Sequence, residues 1–534
     1  MKILARAQKT ILSAAVIIGV SSLASRLLGL VRDRILADSF GAGQLLDAYY
    51  AAFRIPDFVF NILVAGTIAA AFIPVFSKLY NKVNRDKAWQ LTNSVLTVIG
   101  ICLMGLGVAL YFVAPYVARY ITPGFDPETI NMMIWMTRIM LLSPVIFGIS
   151  SIIGSVLNAL QRFVAYAIAP IFYNLGIIVG ALWFVPLWGP LGLAYGVVLG
   201  AILHLLIQIP SMAGTGWRFK FQLGRDLPET KKVAKLMLPR IIGGAATQIN
   251  LIVSTGVAST LVIGSVAVFN FANNLQSFPL GIFGISFSVA AFPAMAHAVA
   301  RARNSEFVEK LSKTFRQVLY LIVPASIFII LLRAQIVRLI LGTGAFDWED
   351  TVLTAATLGF FAVSLFAQST IPLLAKAFYA LHDTRTPVIV SIFSMVLNVI
   401  LTVVLGKTMG VEGIALAFSI AAGLNMLFLL GLLRMRAGDM QDKQIIISAF
   451  KTLIISLVAG IALYGSLYFF DIFVDTHTYT GLLLQTLGAG LVGIAIYWLG
   501  SFIFKNEEVP IGQFIRTLVN KRRNGKNINI NDQP

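Results

Sequence analysis

The sequence predicts an all-α polytopic membrane protein with about 14 transmembrane helices, in two six-helix lobes plus two C-terminal helices. Three observations predict this class. Of the 534 residues, 58% are hydrophobic and only 12% are charged. Soluble domains contain a larger share of charged residues and a smaller share of apolar residues. The apolar residues fall in windows of about 20, the length with which a helix crosses a bilayer. The basic residues gather in alternate connections between these windows.

The hydrophobic windows follow one another along the whole chain. The first follows a short basic leader with Lys2, Arg6 and Lys9, but a clean small-residue cleavage site is missing. We therefore interpret it as a retained helix and not as a signal peptide. The windows lie near 10–31, 46–76, 90–115, 130–158, 164–186, 190–212, 233–260, 264–298, 315–340, 352–380, 386–406, 412–433, 446–470 and 480–504.

The distribution of charge predicts the topology. The chain has 41 basic and 23 acidic residues, a formal net charge of +18. Nucleic-acid-binding proteins are also basic, but they are rich in charge overall, so no nucleic-acid partner is predicted. With the N-terminus in the cytoplasm, 30 of the 41 basic residues fall in predicted cytoplasmic segments. Both termini are thus predicted to be cytoplasmic, with the basic tail from Arg516 to Lys526 on anionic headgroups.

A weak internal repeat, at an offset near 221 residues, predicts the domain organisation. Asn158–Gln161 recurs as Tyr379–His382, and Gly189–Ala194 recurs as Gly410–Ala415. Six spans separate the copies, so the two lobes are predicted to be a parallel repeat, as in transporters that alternate their access. The predicted divisions are an N-lobe at 1–213, a C-lobe at 214–437, a final helix pair at 438–505 and a cytoplasmic basic tail at 506–534.

Seven basic residues fall inside predicted spans, where a charge costs about 2.5–3.5 kcal/mol and usually faces a cavity or a partner. Two of the seven, Arg26 and Arg54, lie in the first hairpin, and Arg32 directly follows the first window there. Guanidinium groups bind phosphate oxygens bidentately while remaining charged, so these three arginines are the predicted anion site. The predicted supporting residues are Ser25, Asp33, Asp47, Asp57, Asn274 and Lys376.

Two alternatives remain for these charges. Asp33, Asp47 and Asp57 would neutralise the hairpin arginines as structural pairs if no anion bound there. The other intramembrane arginines are predicted to pair structurally or to extend to the membrane surface. They are Arg138, Arg240, Arg333 and Arg338.

No cofactor or metal site is predicted, although a coupling ion is left open. The single cysteine, Cys102, excludes an intramolecular disulfide. His204, His297 and His382 occur singly and are predicted to be ordinary residues. Glycines at four-residue steps predict a close helix contact at Gly192, Gly196 and Gly200.

Several segments are similar to motifs of one family. They are Ala24–Asp33, Phe40–Gly43, Asp47–Tyr49, Phe53–Pro56, Ala71–Phe76 and Ala377–Pro387. These resemble the MurJ/MviN family of lipid II flippases, within the multidrug/oligosaccharidyl-lipid/polysaccharide exporter superfamily. The resemblance implies transport of an undecaprenyl-pyrophosphate-linked glycopeptide lipid to the outer leaflet of the bacterial cytoplasmic (inner) membrane.

The same resemblance implies roles for particular residues. Arg26 and Arg32 match arginines that hold the pyrophosphate, and the last two helices match a groove for the polyprenyl tail. Membrane lipids are implied partners, and other cell-wall synthesis proteins are left open. The sequence departs from the family pattern at Asn274, where an arginine is expected, at Ser277, where a glutamate is expected, and at Phe60, where a further arginine is expected.

Three other functions are alternatives to this one. A flippase for another polyprenyl-pyrophosphate-linked oligosaccharide, of the O-antigen type, would need the same anion site. A cation-coupled drug exporter would favour acidic residues in its cavity, whereas this hairpin is rich in arginine. A membrane glycosyltransferase or ligase would need a sizeable extramembrane loop or a carboxylate pair at the membrane interface, and the predicted connections are too short for a catalytic domain. A transporter, not an enzyme, is therefore predicted.

Overall fold

The computed structural model describes residues 11–64, 67–224, 227–504, 506 and 508. Within these ranges the chain is helical and contains no strand. The helices of the first half are α1 Ile11–Phe40, α2 Gln44–Ala52, α3 Arg54–Leu63, α4 Thr67–Lys82, α5 Arg85–Ile121, α6 Pro127–Met140, α7 Leu142–Ala159, α8 Phe163–Val179, α9 Val185–Trp188, α10 Gly192–Leu206 and α11 Pro228–Ser259.

The second half has longer and more regular helices. They are α12 Ser265–Pro279, α13 Ser286–Ala300, α14 Asn304–Ile340, α15 Trp348–Ala362, α16 Leu365–Ala380, α17 Arg385–Met409, α18 Val411–Ala437, α19 Asp442–Asp471 and α20 Tyr479–Ile503. A π-helical turn, Leu280–Ile285, joins α12 to α13. The basic leader and the basic tail beyond residue 508 lie outside the described residues.

Ten helical segments of the described chain are long and apolar enough to cross a membrane, or eleven if α15 and α16, which meet at 44°, form one span. The all-helical, multi-pass membrane class is therefore confirmed, but the count of fourteen is not. One of these segments, Phe163–Met212, is 50 residues long and contains two of the predicted windows. It includes both α8 and α10, which pack against each other.

The packing of α8 on α10 depends on glycine. A Cβ added to Gly176 would lie 2.2 Å from the Cα of Gly200, and one added to Gly180 would lie 2.5 Å from the Cα of Gly196. No side chain fits at such distances, so the backbones touch directly. The predicted close contact of the glycine stripe is confirmed.

The chain divides into two compact units, which are described separately. The first comprises Met1–Leu275, Ile340–Thr357 and Met395–Phe418, and the second comprises Gln276–Leu339, Leu358–Ser394 and Ser419–Pro534. The predicted lobes at 1–213 and 214–437 remain a prediction.

Each unit has its own apolar core. In the first, Phe72 and Phe76 of α4 stack at 5.4 Å and pack with Trp89 of α5. In the second, α14 and α16 form a core around fully buried aromatic residues, and α19 and α20 pack against α14. Tyr497 of α20 donates a hydrogen bond to the backbone oxygen of Tyr320 at 2.6 Å. The predicted final helix pair is thus anchored to α14 within the second unit.

The intramembrane arginines predicted to be structural have local partners where they are described. Arg138 donates to the backbone oxygen of Tyr111 and lies 4.6 Å from that ring and 4.9 Å from the ring of Trp135. Arg333 donates to the backbone oxygen of Ile330 at 2.6 Å. Such cation–π and carbonyl contacts provide a guanidinium with local partners. The side chain of Arg240 lies outside the described residues.

Candidate functional site

Arg32 and Asp33, adjacent residues of α1, form an ion pair. Asp33 Oδ1 accepts hydrogen bonds from Arg32 Nε at 3.0 Å and from Arg32 Nη2 at 2.7 Å. The Arg32 side chain is 20% exposed and the Asp33 side chain is 5% exposed. Burying a charge is costly unless it is paired and hydrogen-bonded. The pair therefore lets two charges lie within an apolar helical bundle.

Asn174 of α8 binds the other side of the Arg32 guanidinium. Its Oδ1 accepts a hydrogen bond from Arg32 Nη1 at 3.0 Å, and its Nδ2 donates to Ser25 Oγ at 3.4 Å. Ser25 and Arg32 are about two helical turns apart on α1. One buried amide therefore connects a predicted supporting residue to a predicted anion-binding residue.

Arg54, the first residue of α3, is buried among neutral partners. Its Nε donates to Thr255 Oγ1 of α11 at 2.6 Å, and its Nη2 donates to Asn270 Oδ1 of α12 at 2.7 Å. Its side chain forms no salt bridge with the described residues. Because both partners are uncharged, the positive charge of Arg54 is held in place without being neutralised by an ion pair.

Two asparagines on α12 contact the two arginine sites, one at Arg54 and the other at the Arg32–Asp33 pair. Asn270 accepts the hydrogen bond from Arg54, and Asn274 donates through Nδ2 to Asp33 Oδ2 at 3.0 Å. Residues four apart lie on the same face of a helix, with Cβ atoms about 5–6 Å apart. One face of α12 therefore brings the Arg32–Asp33 pair and Arg54 to neighbouring positions. At Asn274, where the family resemblance led us to expect an arginine, the amide contacts the carboxylate.

The three aspartates predicted near the arginines have different partners. Asp33 forms the ion pair described above. Asp47 accepts hydrogen bonds from the backbone N–H groups of Gly264 at 2.7 Å and Ala267 at 2.8 Å, which places its carboxylate at the N-terminus of α12. Asp57 forms no salt bridge with the described residues. Of the three, only Asp33 neutralises an arginine through an ion pair in the described part of the chain.

The turn between α1 and α2 is held by two other segments of the first unit. Ala42 N donates to Asp350 Oδ2 at 2.9 Å, and Ala345 N donates to the backbone oxygen of Asp38 at 2.8 Å. Gly264 has φ +91°, and a Cβ there would lie 1.9 Å from the Ala42 oxygen, so this approach requires glycine. We call residues 38–47, 262–267 and 343–350 together the turn clasp.

The remaining predicted residues are placed as follows. Arg26 lines a cavity of about 500 Å³ in the first unit, together with Ser25. Lys376 lies half-buried on α16, in the second unit, and forms no salt bridge with the described residues. Hydrogen bonds therefore connect Ser25, Arg32, Asp33 and Asn274 in the first unit, and Arg54 is bound to the same helix as Asn274 through Asn270.

Sequence reasoning missed Asn174, Thr255 and Asn270. Each is a neutral polar side chain within a helix and contacts a charge far away in the chain. The available signal was weak, because Asn174 is the only amide in an otherwise apolar α8. Polar residues inside membrane helices mark functional positions less strongly than charged ones.

The arrangement is suited to binding an anion. A carboxylate oxygen already accepts hydrogen bonds from the Nε and Nη2 groups of Arg32. Phosphate oxygens accept from the same two groups with similar geometry. Arg54 adds a buried positive charge with no salt-bridge partner in the described chain, and the potential of that charge also attracts an anion.

The fold and the site together define a multi-pass helical membrane protein with a buried, arginine-rich site. A family profile described as lipid II flippase MurJ matches residues 36–484. The chain belongs to this family, and the resemblance drawn from the first hairpin is confirmed.

Relatives extend over nearly the whole chain. A probable lipid II flippase MurJ of Thermotoga maritima is 32% identical over 486 residues, covering 91% of this chain and 95% of the relative. A probable lipid II flippase MurJ of Rhizobium tropici is 28% identical over 518 residues, covering 95% and 96%. A lipid II flippase MurJ of Burkholderia cenocepacia is 29% identical over 423 residues, covering 78% and 82%.

Solved structures share the fold. A lipid II flippase MurJ in an inward closed conformation superposes with a TM-score of 0.77 at 24% identity, covering 92% of this chain and 99% of that chain. A multidrug resistance MATE transporter of the MOP superfamily, in an inward-facing conformation, gives 0.67 at 16% identity, covering 80% and 99%. At these identities the likeness establishes the architecture and not the substrate.

Proposed function

We propose that this protein is a transporter that moves lipid II, a polyprenyl-pyrophosphate-linked peptidoglycan precursor, from the inner to the outer leaflet of the bacterial cytoplasmic membrane. Membership of the flippase family supports this function. The structural observation that carries it is the partly buried Arg32, whose Nε and Nη2 groups already hold an anionic oxygen. The proposed step is transport by alternating access, without bond cleavage and without a cofactor.

In this proposal Asp33 holds Arg32 while no substrate is bound. An arriving pyrophosphate oxygen takes the place of the carboxylate oxygen on Arg32. Asp33 keeps its hydrogen bond from Asn274 during this exchange, so the displaced carboxylate is not left without a donor. Arg54 and Arg26 add positive charge around the anion. Release reverses the exchange, and Asp33 again neutralises Arg32.

The turn clasp supplies a closure that alternating access requires. Residues 343–350 belong to a connection that the charge distribution predicts to be outside the cytoplasm. The clasp consists of a few hydrogen bonds between backbone groups and carboxylate or carbonyl oxygens, including those of Asp47 and Asp350. Bonds to charged groups are each worth about 1.5–3 kcal/mol net. We infer that these bonds break when the outward side opens.

The charges of the site favour an anionic substrate over a cationic drug. A binding site for cations would present several free carboxylates. Here Asp33 is paired with Arg32 and Asp47 binds backbone N–H groups, so only Asp57 has no such partner among the described residues, and it lies three residues from the positive charge of Arg54. A flippase for an O-antigen type of lipid would share the pyrophosphate site, so that alternative needs a direct test.

Depletion of the protein in its own bacterium identifies the transported lipid. We expect lipid II to accumulate in the inner leaflet, and re-expression of the wild-type protein to reverse this. Arg32→Ala should fail to restore transport, whereas the control Arg119→Ala, at an exposed arginine near the end of α5, should restore it. Accumulation of a different polyprenyl-linked saccharide, with normal lipid II levels, would support the O-antigen alternative instead.

We also propose that both termini face the cytoplasm. In a Cys102→Ser background, single cysteines at positions 220 and 303 should be protected from an impermeant thiol reagent added outside. A cysteine at position 345 should be labelled, because it lies in a predicted outer connection. Labelling at 220 or 303 in intact cells would contradict the proposed topology.

A further inference from the structure

A cavity with an apolar wall and a few polar side chains lies in the first unit, next to the arginine site. It measures about 500 Å³ and is lined by residues of α1, α3, α4, α7, α8 and α10 and by Gln208 just beyond α10. Its volume is within the range of about 300–1,000 Å³ that is typical of small-molecule sites. None of its lining residues is a carboxylate, and its main hydrogen-bonding groups come from Ser22, Ser25, Arg26, Ser150, His204 and Gln208.

Three of these side chains form a connected group. Ser150 Oγ lies 2.8 Å from His204 Nδ1, and Gln208 Nε2 donates to Ser150 Oγ at 2.6 Å. Gln208 is fully buried, yet its Oε1 has no hydrogen-bond partner among the described residues. A buried acceptor without a donor is unfavourable. Ser150 and His204 thus hold the Gln208 amide in a fixed position, while its Oε1 atom remains available to accept a hydrogen bond from a ligand.

The composition of the wall indicates the class of ligand. Aromatic rings of Phe60, Phe147 and Tyr166 stand beside uncharged donors and acceptors. Hydroxyl, amide and imidazole groups can each donate and accept hydrogen bonds, which matches the hydroxyl and acetamido groups of a sugar. A wall without carboxylates does not favour a metal cation, since hard cations prefer carboxylate oxygens.

The cavity adjoins the anion site through shared residues. Arg26 lines the cavity, and Ser25 both lines it and accepts a hydrogen bond from Asn174, the amide that binds Arg32. A phosphate bound to these arginines therefore places the group attached to it at the cavity. We propose that the cavity binds the sugar joined directly to the pyrophosphate, with Gln208, Ser150 and His204 as the sugar-binding residues. This inference rests on the proposed function.

Binding of two lipids to the full-length protein in nanodiscs tests this proposal. The two probes are lipid II and undecaprenyl pyrophosphate, which share the pyrophosphate and differ in the sugar. Gln208→Met should weaken lipid II binding about tenfold, because two neutral hydrogen bonds are affected, while undecaprenyl pyrophosphate binding changes less than about twofold. Arg32→Ala should weaken both. Equal loss for both lipids with Gln208→Met, or no loss for either, would overturn the proposal.

A second variant crowds the side chain of Gln208 without removing a polar group. A Cβ at Gly154 would lie 2.9 Å from Gln208 Oε1 and 2.9 Å from Tyr166 Cδ2. Gly154→Ala should therefore weaken lipid II binding and spare undecaprenyl pyrophosphate. The matched control is Gly105→Ala on α5, where nothing lies within 4 Å of the added Cβ, and it should bind both lipids normally.

The two proposals fail in different ways. If the wild-type protein binds neither lipid, the proposed function is wrong, and the sugar site is wrong with it. If the wild-type protein binds both lipids, Arg32→Ala weakens both, and Gly154→Ala and Gln208→Met leave lipid II binding unchanged, only the sugar site is wrong.

Discussion

Asp33 occupies the Nε and Nη2 donors of Arg32, one of the two donor pairs with which a guanidinium can bind a phosphate. The residue that neutralises the arginine is therefore also a competitor of the proposed substrate. The ion pair with Asp33 explains how the partly buried charge of Arg32 is stable within an apolar bundle. It also indicates that substrate binding and release depend on competition between the Asp33 carboxylate and the pyrophosphate for the guanidinium of Arg32.

Replacing Asp33 should strengthen anion binding. Asp33→Asn removes a negative charge about 5 Å from the proposed phosphate position, worth roughly 3 kcal/mol at an effective dielectric constant of about 20. We expect the affinity for undecaprenyl pyrophosphate to rise about tenfold or more, with slower release. The control Asp126→Asn changes an exposed aspartate that caps α6 and should leave affinity unchanged. Weaker binding by Asp33→Asn would show that Asp33 supports the anion instead of competing with it.

Removing the carboxylate of Asp47 should destabilise the start of α12. The side chain satisfies two backbone N–H groups, of Gly264 and Ala267. Loss of such a cap costs about 0.5–2 kcal/mol. We expect Asp47→Ala to lower the melting temperature of the purified protein, and Asp47→Asn, which keeps a capping oxygen, to lower it less. Equal melting temperatures for Asp47→Ala and the wild type would contradict this role.

The contact between α8 and α10 should not tolerate a side chain. At Gly176 an added Cβ would meet the backbone of Gly200, and overpacking of this kind costs about 1–3 kcal/mol. Gly176→Ala should therefore lower thermal stability. Gly423→Ala on α18 is the matched control, since nothing lies within 4 Å of its Cβ. A Gly176→Ala protein as stable as the Gly423→Ala control would show that the two helices can separate without cost.

Asp383, in the turn between α16 and α17, should give a pH-dependent contribution to stability. Burial raises the pKa of Asp383, but hydrogen bonds from Thr386 and Arg385 and the charge of Arg436 outweigh it, so the pKa lies below its ordinary value. A carboxyl group whose pKa is lower in the folded state than in the unfolded state stabilises the protein. The full contribution is present at pH values above the unfolded-state pKa of about 3.9. That stability is lost as the pH falls through the folded-state pKa.

The variant Asp383→Asn isolates this contribution. Thermal unfolding from pH 7 down to pH 3 should show the wild type more stable than Asp383→Asn near neutrality, with the difference shrinking below about pH 4. A difference that stays constant over this range would mean that the aspartate acts through its shape and not through its charge.

The sequence was sufficient to predict the class of protein and to select the arginines of the candidate site, for a physical reason. Charges inside apolar windows are expensive, so Arg26 and Arg54 stand out against their surroundings, and Arg32 directly follows the first of these windows. The close contact of α8 with α10 was also predictable, because glycines at steps of four leave one face of a helix bare.

The partners of these residues could not be predicted, because they are distant in the chain. Asp47 caps a helix that begins more than 200 residues later, whereas a local cap such as Asp126 is evident from its neighbours. Asn174 and Asn270 are neutral and contact arginines on other helices. Pairwise packing of helices decides such contacts, and hydropathy contains no information about it.

The most direct test of the central claim is the initial rate of lipid II translocation by the purified protein in proteoliposomes. The wild type and the Arg119→Ala control should translocate lipid II at similar rates. Arg32→Ala should be slower by about tenfold or more, because a charge-assisted contact worth about 1.5–3 kcal/mol is lost, and Arg32→Lys should recover only part of the rate. A folded Arg32→Ala protein that translocates lipid II at the wild-type rate would contradict the account.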